Sequence, residues 1–318
     1  MKISDNILTK LDHPAKIVDL ALDWELISSL QEKKWEEIPE LSAFIHLKKL
    51  SLAGHEIQKL EGLIASLTQV DLSYNLLRET RGLAPMDNLK ELDLSFNELE
   101  NISEIAGCQQ LTRLNLAHNF LKDLSPLSTL NKLQLLAISG NKRVKDLSFA
   151  LNMEDLQTFY AKQLSLMDWG QLNNLSSLEA LYISPISFES LNSLRSLPKL
   201  ETLHLSANKV PEHGVLPYFP HLKHLSILKG KHLRKLDGID KLTGLTHLNL
   251  AQNQLEQLPD LKGMQNLEEV ILKQNPLLSI DALFELNNLK KLDIRDTGLK
   301  GSMVKKLIQH FAEAEVLF

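Results

Sequence analysis

Several features are scarce in this 318-residue chain, and each scarcity narrows what it can be. A single cysteine rules out an intramolecular disulfide framework and fits a reducing compartment. Aromatics are only 5% of a chain that is 43% hydrophobic, so aliphatic side chains must build the core. There is no basic excess: the net charge is −5 and the pI about 6.1, so no global field draws the chain onto nucleic acid. No apolar run approaches the roughly 18 residues a membrane-spanning helix needs. The opening MKISDNILTKLDHPAK carries charges where a secretory signal would be apolar, so a cytoplasmic protein is expected. Phosphate loops, GxGxxG, HExxH and GxSxG are absent. Neither catalysis nor a cofactor is expected.

What is present in quantity is leucine at a fixed interval. In LKELDLSFNEL, Leu89 to Leu99, leucines hold the first, fourth, sixth and eleventh places and Asn97 holds the ninth. The same unit starts at Leu47, Leu67, Leu89, Leu111, Leu133, Leu156, Leu178, Leu200, Leu222, Leu245, Leu267 and Leu289, at steps of 20, 22 or 23 residues. Alternation at places four and six predicts a short strand with inward leucines, and stacked copies predict a parallel sheet. Places seventeen and twenty are also apolar (Leu83, Ile105, Leu127; Met86, Leu175), which puts Cys108 at place twenty among buried hydrophobes. Asn75, Asn97, Asn119, Asn141, Asn208, Asn253 and Asn275 at place nine predict a ladder of buried amides bonded to backbone. Leu164, Ile186 and Gly230 interrupt it, and His55 and Thr297 replace it at the ends. Two units carry one extra residue, at Lys142-Arg143 and Lys231-His232, expected to bulge from one rim.

Both ends need covering, because a terminal repeat exposes an apolar face. Residues 1–46 read as an N-terminal cap: a short helix from Ile3 to Leu11, a degenerate unit at Ile17, Leu20 and Leu22, and helix-like spacing through Leu26, Ile27, Leu30, Trp35 and Ile38. Residues 301–318 read as a helical C-terminal cap, started by Ser302, with Met303 or Val304, Leu307, Ile308 and Phe311 facing inward. The twelve repeats over 47–300 and both caps are expected to form one continuous structural domain.

The 22-residue unit, with a further apolar place near fourteen (Leu60, Ile102, Leu124, Leu147, Leu258, Ile280), resembles the SDS22-like class of leucine-rich repeats. Internalin-type repeats are similar. The resemblance covers roughly residues 47–300. It implies an α/β leucine-rich repeat solenoid, right-handed, with a curved parallel sheet on its concave face and short helical or extended convex segments. It also implies a protein partner on that face; the class includes a regulatory subunit of protein phosphatase 1. That subunit's C-terminal cap, with its Tyr-Arg start and Leu-Pro segment, has no counterpart here.

Outward concave places are not dictated by the repeat, so function is sought there. An apolar and aromatic group (Leu135, Ala137, Tyr160, Tyr182, with His204 adjoining) stands mid-sheet, and Tyr74, Phe96 and Phe120 line one rim. Asp71, Asp93 and Glu91 make the N-terminal third acidic, although Arg113 adjoins them. The ninth unit is basic through His221, Lys223, His224, Lys229, Lys231, His232, Arg234 and Lys235. His224 and His247 share a column continued by Glu269, with His204 one strand away, a set that could hold a metal or serve hydrolysis. Three readings stand: a non-catalytic scaffold, possibly regulatory, that binds a protein; a metal-binding or hydrolytic protein using those histidines; and a self-associating repeat. The first is favoured, with no nucleic acid, no membrane and a monomer expected.

Overall fold

The computed structural model describes residues 8, 11–30, 33–83, 86–166, 169–184, 193–194, 197–206, 213–215, 219–230 and 232–318. The chain forms two compact units: Met1–Tyr160 with Leu164–Leu166, and Ala161–Gln163 with Met167–Phe318.

The first unit contains six whole parallel strands, β1 (Asp19–Ala21), β2 (Lys49–Ser51), β3 (Gln69–Asp71), β4 (Glu91–Asp93), β5 (Arg113–Asn115) and β6 (Leu135–Ala137), and the first three residues of β7 (Thr158–Lys162). Each pairs with the next in chain order, place for place: Leu20 faces Leu50, Leu92 faces Leu114, and Leu136 faces Phe159. The degenerate unit at Ile17 is thus a true strand of the sheet. In the second unit, β8 (Ala180–Ser184), β9 (Thr202–Ser206), β11 (His224–Leu228), β13 (His247–Asn249), β14 (Glu269–Ile271), β15 (Lys291–Asp293) and β16 (Glu315–Leu317) run parallel in that order. A side pair, β10 (His213–Val215) with β12 (Lys235–Asp237), lies apart from them. Each unit is a stretch of leucine-rich repeat solenoid. Strand and return path alternate, and the return path carries short 3-10 turns such as Ser103–Gly107 and Ser125–Thr129.

Leucine periodicity accounts for this core. In the repeat from Leu89, the side chains of Leu89, Leu92, Leu94, Leu99, Ile102, Ile105 and Cys108 are all buried. Burial and the nearby Asp87 carboxylate push the Cys108 thiol up to about 11, so it stays protonated and serves as a small hydrophobe.

The asparagine ladder is present and uniform where it is described. The Asn119 Nδ2 donates to the Leu94 carbonyl of the preceding repeat (3.0 Å) and to its own Leu116 carbonyl (3.1 Å). Its Oδ1 accepts the Leu99 N–H (2.9 Å). Asn75, Asn97, Asn141 and Asn275 repeat this arrangement, and Asn253 makes the same carbonyl bonds but accepts the Gly230 N–H instead, while Asn208 and Ile186 lie outside the described residues. His55 substitutes for asparagine atom for atom: Nε2 is 2.8 Å from the Leu22 carbonyl, and Nδ1 accepts the Trp35 N–H at 3.2 Å. Desolvation holds the His55 pKa below the ordinary histidine value, which keeps Nδ1 an acceptor. The extra residues solve the same backbone problem locally. Val144 N–H turns to the Asn141 carbonyl (3.1 Å) and Leu233 N–H to the Gly230 carbonyl (3.0 Å), so neither needs the next repeat's side chain.

The ends differ from the sequence reading where they are described. Of the Ile3–Leu11 segment only Leu8 and Leu11 lie among the described residues. The helix Trp24–Ser29 buries Ile27 but leaves Leu26 and Leu30 exposed, and Trp35 and Ile38 are buried from irregular backbone rather than from a helix. At the other end the helix Gly301–His310 starts one residue after an extended Lys300, so Ser302 is inside it and caps nothing. Leu307 and Phe311 are buried but Ile308 is exposed, and β16 then lies along β15. An added strand satisfies the β15 edge, which a helix cannot do.

Candidate functional site

Place eight, just after the strand, has a conformation that spacing alone did not reveal. Gly54, Tyr74, Phe96, His118, Gly140, Gln163, Lys229, Gln252, Gln274 and Asp296 all have left-handed φ, between 54° and 82°. Pro185 and Ala207 occupy this place outside the described residues. The turn lets the place-eight N–H reach the next repeat's place-seven carbonyl, as Tyr74 does to Ser95 (2.9 Å) and Phe96 to Ala117 (2.8 Å). A non-glycine residue there costs about 1–2 kcal/mol, and a bulky aromatic is unusual.

In the first unit this place carries a stack of three rings. Tyr74 and Phe96 lie with centroids 4.2 Å apart and planes 6° from parallel; Phe96 and His118 lie 4.3 Å apart at 12°. Glycines bound the stack. A Cβ on Gly140 would come within 2.7 Å of the His118 Nδ1, so the last ring lies across that glycine. The stack is open to solvent: Tyr74 is 57% exposed and Phe96 40%, with Phe120 at 51% on the neighbouring turn. His118 was not among the residues singled out from sequence, although its place in the column Gly54, Tyr74, Phe96, His118, Gly140 was the available signal.

Beside the stack lies a groove of about 530 Å³ lined by Asp71, Glu91, Asp93, Phe96, Arg113, Asn115, His118, Leu135, Ala137 and Tyr160. The place-five carboxylates have a structural duty as well as a surface one. Asp71 Oδ1 accepts the Ser73 N–H (2.9 Å), and Asp93 Oδ1 accepts the Ser95 N–H (2.8 Å) and hydroxyl (2.6 Å). Asn115, Asn249 and Asp293 make the same local turn. Asp93 Oδ2 also accepts from Asn115 Nδ2 (2.8 Å). Burial holds the Asp71 pKa above the usual carboxylate range despite its Ser73 bonds, and the like charges of Asp93 and Asp23 add to the rise.

The mid-sheet group is less exposed than its columns suggest. Ala137 is buried, because a small side chain between Asn115 and Tyr160 on the flanking strands is screened by them; Leu135, Tyr160 and Tyr182 are half-buried. Exposed aromatic area has moved to the rim.

In the second unit, His224 and His247 do come together, with ring centroids 4.6 Å apart. They line a groove of about 310 Å³ with Tyr182, His204 and Glu269. The chemistry separates them from one another. His204 packs on Tyr182 at 5.8 Å, and burial, helped by Lys162, pushes it down to about 4, a neutral ring. Glu269 sits 3.9 Å from the His247 Nε2 but 3.2 Å from the Lys291 ammonium. Among the described residues no three His, Cys, Asp or Glu side chains converge to hold a metal ion. Ser226 faces His204 in register, yet among the described residues its buried hydroxyl has no hydrogen-bond partner and no base bonded to it to activate it. The basic character of the ninth unit is partly neutralised: Lys223 pairs with Glu201 (2.7 Å), Arg234 with Glu256 (3.0 Å) and Lys235 with Asp237 (3.2 Å). Lys231 lies outside the described residues.

Comparison with known proteins agrees with this architecture. A family model described as leucine-rich repeats in two copies matches residues 109–152, and a second leucine-rich repeat model matches residues 65–121. No curated protein sequence matches the chain. Among solved structures, a leucine-rich repeat protein of Leptospira interrogans is 19% identical with a TM-score of 0.64, covering 99% of this chain and 98% of that one. An internalin of Listeria monocytogenes is 19% identical with a TM-score of 0.61, over 99% and 92%. TLR13 in its complex with ssRNA13 is 20% identical with a TM-score of 0.62, over 94% of this chain and 50% of that one. At these identities the likeness is one of fold.

Proposed function

Since the chain is a leucine-rich repeat protein, we propose that it is a non-catalytic scaffold that binds a protein through the concave groove and aromatic rim of its first unit. The supporting observation is the stack of Tyr74, Phe96 and His118. Elsewhere the same turn is made by Gly, Gln, Lys or Asp, so the fold does not require rings there. Three rings are held in a left-handed conformation that disfavours them, in solvent, next to a groove. Stacking recovers about 0.5–1.5 kcal/mol per pair, and a row of ring edges of low conformational entropy, ending in the outer face of Tyr74, remains exposed, which suits an interface hot spot. Affinity purification with wild type and the Tyr74→Ala, Phe96→Ala double variant tests this. Loss of a bound protein from the variant is expected; an unchanged set of bound proteins would refute it. A cytoplasmic location and a regulatory role belong to the same proposal.

A further inference from the structure

The charge around the groove says what kind of segment it takes. The groove itself is lined by three carboxylates, Asp71, Glu91 and Asp93, against one cation, Arg113; beyond it, the same outward places of the first two strands and their turns carry Asp19 and Asp23 against Lys49. Arg113 lies opposite Glu91 in register and offsets part of this charge, but among the described residues it closes no ion pair with it, and three carboxylates against one guanidinium leave the groove net negative. Asp71 and Asp93 lie opposite each other on β3 and β4, so their backbones stand one strand spacing apart, about 4.8 Å. Asp23 extends the series, its carboxylate holding the Ser51 hydroxyl and the Ala53 N–H. Like charges held this way in a part-buried groove repel, and a cation placed between them relieves the repulsion. Apolar stems are provided for as well, because Phe96 lines the same groove and continues into the exposed face of Tyr74.

We propose that this groove receives an arginine-bearing segment of the protein partner, its guanidinium set among Asp71, Glu91 and Asp93 and its stem lying along the edge of Phe96 towards Tyr74. Arginine is favoured over lysine because a planar guanidinium pairs with carboxylates in two-pronged fashion and stacks on rings. The assignment rests on the docking function above and adds the chemistry of the partner.

The test uses the full chain and three labelled peptides, hexa-arginine, hexa-lysine and hexa-glutamate, titrated by fluorescence anisotropy at low salt. Asp71→Asn with Glu91→Gln removes two charges. The place-five turn survives, because Asn115 and Asn249 already make it with an amide oxygen. Glu154→Gln with Asp155→Asn removes the same charge from exposed positions outside the groove. Hexa-arginine is expected to bind more tightly than hexa-lysine, and hexa-glutamate not to bind. Asp71→Asn/Glu91→Gln should weaken hexa-arginine about tenfold, while Glu154→Gln/Asp155→Asn should leave it within about twofold. Equal weakening by both variants, equal affinity for both cationic peptides, or no hexa-arginine binding at millimolar concentration would overturn the proposal. The affinity purification separates the two levels. A protein lost from Tyr74→Ala/Phe96→Ala but retained by Asp71→Asn/Glu91→Gln removes the arginine assignment and keeps the docking function. One retained by both removes the docking function itself.

Discussion

In the first unit four successive repeats, from Asn75 to Asn141, place asparagine in the ladder, and the turn beside it carries rings in the first three and Gly140 in the fourth. In the second unit the described ladder residues are Asn253 and Asn275, Gly230 takes the ladder place of the repeat before them, and the same turn carries Gln163, Lys229, Gln252, Gln274 and Asp296. Both units bury the same places and make the same strand-to-strand bonds. The difference separates what the coil requires from what it merely permits. Leucine at places one, four and six and a donor–acceptor at place nine recur wherever the sheet is regular. The side chain at place eight is free to vary once its backbone turns left, and there the two units part company.

The largest effect should come from places the units share. Leu114→Ala and Leu248→Ala each remove a nearly fully buried side chain and should each cost about 2–5 kcal/mol in chemical denaturation. If only one did, the claim of a common core register would break. Next come the ladder positions. Asn119→Ala strands the Leu99 N–H and two carbonyls, and Asn253→Ala strands the Gly230 N–H, so a loss of about 1–3 kcal/mol is expected from each. Neutral behaviour at Asn253 alone would mean that the interrupted ladder of the second unit no longer supports its turns.

Acid should affect both units through buried imidazoles. His204 is held near 4 in the folded chain, against about 6.5 unfolded, and burial lowers His55 too. A depressed histidine pKa means that the fold prefers the neutral ring. The stability contributed by His204 is therefore fully present above pH 6.5 and is lost as the pH falls from 6.5 towards 4. NMR titration of the His204 ring should show a midpoint well below 6; a midpoint near 6.5 would mean that its groove is wet. Smallest of all is the effect of place eight on stability. Phe96→Gln copies the second unit's residue, and should change stability by no more than about 1 kcal/mol, because lost stacking is set against relief of backbone strain. A loss of several kcal/mol would make the ring stack part of the core and weaken its assignment as a binding surface.

Much of this was legible beforehand, because burial in a repeat protein follows from position in the period. The strand places, the buried Cys108, the asparagine ladder and even the degenerate strand at Leu20 could be read from spacing. The site was legible in part. The rim aromatics Tyr74, Phe96 and Phe120 were marked as exposed, and they are. Ala137 was marked too, but exposure at a mid-sheet place depends on the size of its neighbours, which a column of single letters does not weigh. From spacing alone Asp71 and Asp93 are surface charges; their local bonds to Ser73 and Ser95 give them a second duty set by the turn. The C-terminal strand escaped because three residues after a helix carry too little alternation to announce a strand.

By itself, the sequence determined the register, since a leucine every few residues at a 22-residue period can bury its apolar face only by stacking copies. Only the tertiary structure decided that place eight turns left-handed in one repeat after another. That φ is imposed by a bond to the next repeat's carbonyl, a contact between residues some twenty positions apart. With it came the parallel approach of Tyr74, Phe96 and His118, and their position beside carboxylates that the strand order brings into line.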